Sequence, residues 1–221
     1  MAFKIKIFTL FPEMFDYLNT SILGRALDKQ LWEYELIQIR DYAKDKHKSV
    51  DDVPYGGGNG MIMKPEIIAD AIDKNCSADT KLYYMSPRGE VFKQEKCKEI
   101  IQNEEIAIIC GRYEGLDQRI IDYYKIEELS IGDYVLTGGE LPAMVMIDAC
   151  IRNIKGVIQE GSLNNESFCE GLLEHNLYTM PANWRKMEVP EVLRSGHHKN
   201  IEKWKKEESL RITKEKRPDL L

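Results

Sequence analysis

Glu105-Ile106-Ala107-Ile108-Ile109-Cys110-Gly111-Arg112-Tyr113-Glu114-Gly115 is the stretch on which the fold turns. Ile106–Cys110 is apolar at every position. A strand with one wet face alternates apolar and polar residues, so a short unbroken apolar run marks a strand covered on both faces, as in parallel sheets. Gly111–Gly115 breaks the run, and a helix-like segment to about Tyr124 follows. Strand, glycine turn and helix in that order are the repeating unit of parallel α/β domains.

The same alternation extends in both directions. Phe3–Leu10 reads as a strand ended by Phe11-Pro12. Ile22, Leu23, Ala26, Leu27 and Leu31 keep helical spacing, and Tyr34–Arg40 alternates like a strand. Asp41 to Lys64 is a long loop, polar first and then glycine-rich. Pro65 suits a first helical turn, with Ile67, Ile68, Ala71 and Ile72 as its apolar stripe. Lys81–Met85 is a strand, closed by the turn signal Ser86-Pro87-Arg88-Gly89. A helix over Lys93–Asn103, a strand near Ile126–Ser130, a break at Gly138-Gly139 and a helix over Leu141–Ile154 complete an α/β domain with a mainly parallel sheet. From Gln159 a mobile linker is expected. After it comes a helical C-terminal piece, broken by Pro181, Pro190 and Ser195-Gly196, with Ile201 and Trp204 on its contact face.

The chain has 221 residues, 43% of them hydrophobic and 31% charged. That is enough for one substantial domain with an appendage and too apolar for a disordered chain. No apolar run nears the roughly 20 residues of a membrane helix, and the N-terminus lacks a signal-peptide core. A cytoplasmic protein with no membrane partner is expected. Cys76, Cys97, Cys110, Cys150 and Cys169 form no C-x-x-C, and His47, His175, His197 and His198 show no ligand spacing. Neither a disulfide framework nor a zinc site is predicted. The net charge of −6, taken alone, argues against nucleic acid. Its distribution does not: Trp184–Leu221 carries 11 Lys and Arg against 7 Asp and Glu. A basic segment on an acidic body reads either as a solvated helical surface or as a phosphate-facing one.

Three glycine-bearing turns each follow a strand: Ser86–Gly89, Gly111–Gly115 and Gly132–Gly139. In parallel α/β sheets, ligands bind outside the carboxyl ends of the strands. Glycine lets backbone amides and carbonyls approach an adenine edge or a ribose, and Tyr113, Tyr134 and Leu136 can wall in a ring. The plainer alternative is three tight turns. No G-x-x-x-x-G-K-[ST] exists, and Tyr55-Gly56-Gly57-Gly58-Asn59-Gly60-Met61 does not fit G-x-G-x-x-G, so a phosphate-loop ATPase and an ordinary dinucleotide enzyme are disfavoured. That glycine run reads as a lid or a surface for close approach, anchored by Met61-Ile62-Met63. The linker carries Glu160, Glu166, Glu170 and Glu174. These either solubilise it or include a general base that orders with substrate, with Arg152 nearby to balance charge.

Five blocks carry a family resemblance: Thr9–Phe15, Val50–Met61, Cys110–Gly115, Ser130–Ala143 and Val189–His198. In collinear order, from about Lys4 to Asp219, they resemble the bacterial tRNA (guanine-37-N1)-methyltransferases, the TrmD family of the SPOUT superfamily. The resemblance implies an α/β domain over residues 1–158 tied in a C-terminal trefoil knot, an exception to the rule of unthreaded connections. It further implies a flexible linker over 159–174, a small helical tRNA-binding domain over 175–221, and a homodimer with tRNA lying across both subunits. S-adenosyl-L-methionine would sit bent in the knot. Carried over by motif, its site takes Tyr84, Ser86 and Pro87 from the first turn and Gly111, Tyr113 and Gly115 from the second. The third supplies Ile131, Gly132, Tyr134, Val135, Leu136, Gly138, Gly139 and Pro142.

The implied chemistry is in-line methyl transfer, where alignment dominates. A carboxylate accepts the guanine N1 proton, and Arg152 stabilises charge building on O6. The family's base is an Asp just before a Ser-Phe pair. The matching position here is Glu166, before Ser167-Phe168, in a linker one residue shorter; Glu170 is the next candidate. Family members use Mg²⁺, to which Glu114 is the candidate contributor, although spacing predicts no metal site. Lys155 stands where Pro is usual and Arg88 where Gln is usual. The chain stops at Leu221, short of longer C-terminal helices in relatives, so a reduced tRNA surface is expected. Two other activities fit the same blocks: another SPOUT reaction such as ribose 2′-O-methylation, and an RNA-binding relative that has lost its base.

Overall fold

The computed structural model describes residues 2–159, 161–164, 166–168 and 171–221. It divides into two compact units, Met1–Ile158 and Gln159–Leu221.

The first unit is built on strands β1 (Phe3–Thr9), β2 (Trp32–Gln38), β3 (Asp51–Asp52), β4 (Ile62–Met63), β5 (Lys81–Val91), β6 (Glu105–Ile109) and β7 (Glu127–Ser130). Five of them form one sheet in the order β2-β1-β6-β5-β7, with every pairing parallel. β3 and β4 pair antiparallel by themselves. The apolar run of β6 is covered on both sides, as its composition requires. Ile106 and Ile108 face a core with Ile5, Ile7 and Tyr83. Ala107 and Ile109 face another with Phe8, Leu82 and Tyr84.

Helices α1 (Ser21–Asp28), α3 (Gln94–Ile100) and α5 (Glu140–Ile151) cover the first face through Leu23, Ile100, Met146 and Ile147. α2 (Pro65–Asn75) and α4 (Gln118–Tyr124) cover the second through Ile67, Ile68, Ala71, Ile72, Ile120 and Ile121. Each of the Leu, Ile and Met side chains among these, fully buried, contributes about 1.5–3 kcal/mol. Pro65 opens α2 and the predicted stripe is the buried one.

The structure departs from the sequence reading in several places, the β3–β4 pair inside the expected long loop among them. A 3₁₀ helix, Pro12–Asn19, precedes α1. β2 starts two residues early, because Trp32 is buried, donates its indole N–H to the Leu23 carbonyl at 3.1 Å and stacks on Tyr34. β5 does not end at Ser86–Gly89. Met85 and Glu90 both pair with Leu129, so residues 86–89 loop out and the strand resumes. Gly89 makes this fit: a Cβ there would stand 2.3 Å from the Glu128 carbonyl carbon.

The second unit holds a hairpin, β8 (Asn183–Trp184) and β9 (Met187–Glu188), then α6 (Glu191–Arg194) and α7 (His198–Lys216). Ile212 and Thr213 of α7 are buried, and Thr213 Oγ1 accepts from the Leu173 N–H at 2.9 Å. Trp204 and Ile201 are half-buried, Trp204 beside His175 and Tyr178. The hairpin was not legible in the sequence. Its two turn residues, Arg185 and Lys186, have φ of 53° and 68°, positions where Asn and Gly are the usual signal. Among the described residues no helix is long and apolar enough to cross a membrane. The linker residues Glu160, Cys169 and Glu170 lie outside the described residues.

Candidate functional site

The carboxyl ends of β5, β6 and β7 surround a small, open cleft of about 220 Å³. All the residues carried over to the cofactor site line it: Tyr84, Ser86, Pro87, Gly111, Tyr113, Gly115, Ile131, Gly132, Tyr134, Val135, Leu136, Gly138, Gly139 and Pro142. Met85, Arg112, Glu114, Leu129, Ser130 and Thr137 complete the wall.

The looped-out residues 86–89 make one side. Ser86 is buried and its Oγ accepts from the Arg88 N–H at 3.2 Å. Arg88 itself turns to Gln118 Oε1 at 2.8 Å and to Glu128 at 3.3 Å, outside the lining. The 111–115 turn makes the base. It lies on Tyr84, whose ring would be 2.6 Å from a Cβ at Gly111 and whose hydroxyl would be 2.8 Å from one at Gly115. Only glycine permits that contact. Burial raises the Tyr84 phenol above its ordinary pKa, against a backbone hydrogen bond from Leu116. Tyr113 holds φ of 57°, a conformation that costs a bulky residue energy and that clusters at functional sites.

The glycine-rich run abuts this turn. The Glu114 N–H donates to the Met61 carbonyl and the Met63 N–H to the Gly115 carbonyl, each at 2.9 Å. A Cβ at Gly60 would meet Glu114 Oε1 at 2.4 Å, while Tyr55 is fully exposed. The third wall, 131–139, leaves the sheet edge at β7 and returns to the end of β6. There the Gly139 N–H donates to the Gly111 carbonyl at 2.9 Å.

Sequence reasoning missed the charged pair behind this wall. Glu140, the first residue of α5, is fully buried. Its Oε1 accepts from Thr9 Oγ1 at 2.9 Å, and its Oε2 is 2.9 Å from Arg112 Nε. The N–H is not aimed at that oxygen, so neither atom gains a hydrogen bond and the contact is ionic. Arg112 also donates to the Thr137 carbonyl at 3.2 Å and lies 4.4 Å from the centre of the Phe11 ring. The signal was available: a lone carboxylate heads an otherwise nearly all-apolar helix, and buried charges require partners. Burial and Glu140 together push the neighbouring Cys110 thiol well up, which leaves it unreactive.

Of the three residues carried over to catalysis, Glu114 and Arg152 lie in separate recesses of the first unit. Glu114 lines the cleft. Arg152 caps the far end of α5, about 18 Å along a twelve-residue helix from Glu140, in a recess with Tyr17, Thr20, Asp148 and Ile158. Glu166 belongs to the second unit. It precedes a closed turn in which the Phe168 N–H donates to Leu172 O at 2.7 Å and the Glu174 N–H to Ser167 Oγ at 3.0 Å. Among the described residues no cluster of three or more His, Cys, Asp or Glu is placed to hold a metal ion.

Comparison with known proteins gives one consistent result. A family model described as tRNA (guanine-1)-methyltransferase TrmD matches residues 3–221. A tRNA (guanine-N(1)-)-methyltransferase of Wolbachia pipientis subsp. Culex pipiens is 51% identical over 227 residues, covering 100% of this chain and 98% of the relative. The protein of the same name from Ruminiclostridium cellulolyticum is 53% identical over 222 residues, covering 98% and 95%. That from Clostridium tetani is 48% identical, covering 100% and 92%.

Proposed function

The chain belongs to the TrmD family of tRNA (guanine-1)-methyltransferases, and from that premise we propose that it methylates N1 of guanine 37, 3′ to the anticodon of tRNA, with S-adenosylmethionine as donor. The observation that carries this is the cleft, where three glycine turns from separate strands meet in one lining.

The residues present suit such a donor. Gly111, Gly115, Gly132 and Gly139 put no side chain in the lining, so a flat ring or a ribose can approach the backbone closely there. Ile131, Leu136, Tyr134 and Pro142 offer apolar contact to a ring. The one cationic side chain in the lining, Arg112, is neutralised by Glu140, which leaves no cradle for a polyphosphate. Bound there, the donor supplies an electrophilic methyl carbon on a sulfonium sulfur. Glu166 accepts the N1 proton as the new bond forms, and Arg152 offsets the negative charge at O6.

The chain is read as a knotted, two-domain protein that works as a homodimer. Supporting the knot, β5 lies between β6 and β7, so the 131–139 segment crosses the end of β5 to reach Gly111. Supporting the dimer, the outer face of α5 presents exposed Leu141 and Val145, with exposed Tyr17 and Ile22 nearby in the sequence of that face's neighbours. The distance from Arg152 to its own cleft calls for a second copy, related by a two-fold axis, to deliver it. The basic segment Trp184–Leu221 is assigned to tRNA phosphates.

Transfer of label from radiolabelled S-adenosylmethionine to tRNA transcripts with and without guanine at position 37 tests the proposal. Label that requires the guanine supports it. Label that ignores the guanine indicates ribose methylation, and binding without label indicates an RNA-binding relative.

A further inference from the structure

We propose that Glu140 is a charge-neutralising residue which lets the cleft hold a cationic methyl donor beside Arg112. The inference rests on the assignment of the cleft to S-adenosylmethionine and concerns how it tells donor from product. Methyl transfer turns a positively charged sulfonium into a neutral thioether, so donor and product differ in charge and one methyl group.

Arg112 is part of the cleft wall, and its guanidinium cannot be neutralised by losing a proton in a protein. A sulfonium bound against the 111–115 side of the cleft, within the screening length of about 8 Å at physiological salt, feels the Arg112 charge. Glu140 is fully buried and outside the cleft lining, with Oε2 2.9 Å from Arg112 Nε. Its geometry favours charge over bonding: Nε and Oε2 are in ionic contact without a hydrogen bond. Thr9 Oγ1 donates to the other oxygen at 2.9 Å and holds the carboxylate in place. The pair also ties the wall to β1, through the Arg112 hydrogen bond to the Thr137 carbonyl and the Thr9 hydrogen bond to Glu140. Beyond that bracing, the carboxylate offsets the guanidinium's field at the wall where a cation is to sit.

Glu140→Gln keeps shape and the capacity to accept from Thr9 but removes the negative charge. The guanidinium is then uncompensated, and the donor is repelled while the neutral product is not. Isothermal titration of S-adenosylmethionine and S-adenosylhomocysteine into the wild type and the variant measures the ratio of their dissociation constants. That ratio should move against the donor by about five- to tenfold. The double variant R112M/E140Q, which removes both charges, should return it close to the wild-type value. Thermal unfolding identifies which variants fold. If Glu140→Gln does not, Glu140→Asp is used, and its retreating carboxylate should shift the ratio in the same direction by less. Equal loss of both ligands, or a ratio that stays put in whichever single variant folds, overturns the inference. Absence of binding by either ligand to the wild type would instead overturn the assignment of the cleft.

Discussion

Gly139 and Gly111 are in backbone contact: the Gly139 N–H donates to the Gly111 carbonyl at 2.9 Å, and a Cβ on Gly139 would stand 2.8 Å from the Cys110 Cα. Two walls of the cleft therefore meet at van der Waals limits. Gly139→Ala has no flexible side chain to displace, only backbone. It should lower stability by about 1–3 kcal/mol and weaken donor binding at least tenfold, as read by thermal unfolding and titration calorimetry. Wild-type affinity in a folded Gly139→Ala protein would show that this contact does not shape the site.

Glu166→Gln should reduce single-turnover methyl transfer by about 10²–10⁴-fold with little change in donor affinity, because the cleft lining lies elsewhere in the chain. A wild-type rate would remove Glu166 as the base and move attention to Glu170.

The assignment of Arg152 to the neighbouring subunit has a direct consequence. With the donor held well below the dissociation constant of the Gly139→Ala cleft, Arg152→Ala and Gly139→Ala should each be nearly inactive alone. Mixed and allowed to exchange, they form a heterodimer with one intact cleft facing one intact Arg152, and about a quarter of wild-type activity should return. No recovery is expected if each cleft uses its own chain's arginine. Val145→Asp, on the exposed face of α5, should halve the mass seen by light scattering.

Lys96 bridges α3 and the edge strand β7, with Nζ 2.5 Å from Glu127 and 2.9 Å from Glu99. Burial alone would raise the Glu127 carboxyl, but hydrogen bonds from Lys96 and Lys81 hold it below its ordinary value. A depressed carboxylate adds stability above its unfolded pKa, near about 4.3, and that stability is lost as pH falls through the folded value. Melting temperature should therefore drop between about pH 5 and pH 3. In Lys96→Met it should start lower at neutral pH and fall less steeply over that interval.

In the second unit the basic residues are unequal. Lys203 and Lys205 pair with Glu207 and Glu202 on α7, whereas Arg185 and Lys186 form the hairpin tip, with Arg185 4.9 Å from the centre of the exposed Trp184 ring. tRNA affinity should fall as salt rises, with each lost phosphate contact lowering the slope by about one. Replacing Arg185 and Lys186 with alanine should weaken binding more per charge than neutralising Lys203, Lys205 and Lys206 together. Equal or no effect, measured by filter binding across a salt series, would return both sets to solvated surface.

How much the sequence disclosed depended on distance along the chain. Ile106–Ile109 declared a two-faced strand because burial is written into consecutive residues. Pro65 and its stripe declared α2 for the same reason. The ends of elements were less legible: β2 was extended by Trp32, whose burial is decided by Leu23 on another element, and β5 ran past Gly89 because a register shift restores pairing. The three turns were legible as a candidate ligand site because each follows a strand, while the list of lining residues came from the family resemblance. Arg112 and Glu140 escaped both: a carboxylate at the head of an apolar helix is legible, but its partner lies in a distant part of the chain. The Arg185-Lys186 turn escaped because its conformation is one that other residues usually mark.

The looped-out residues 86–89 have a consequence for how a ligand enters. They are fastened on both sides by pairing to the same residue, Leu129, so they cannot swing without unzipping the sheet edge. The 131–139 wall is tied at its ends, to β7 and to Gly111, and by Arg112 at Thr137, while Tyr134 and Val135 at its crest are exposed. The doorway therefore has one side set in the sheet and one side fixed only at its feet, and hydrogen exchange should slow on ligand addition chiefly in residues 132–137, hardly at all in Met85 or Glu90.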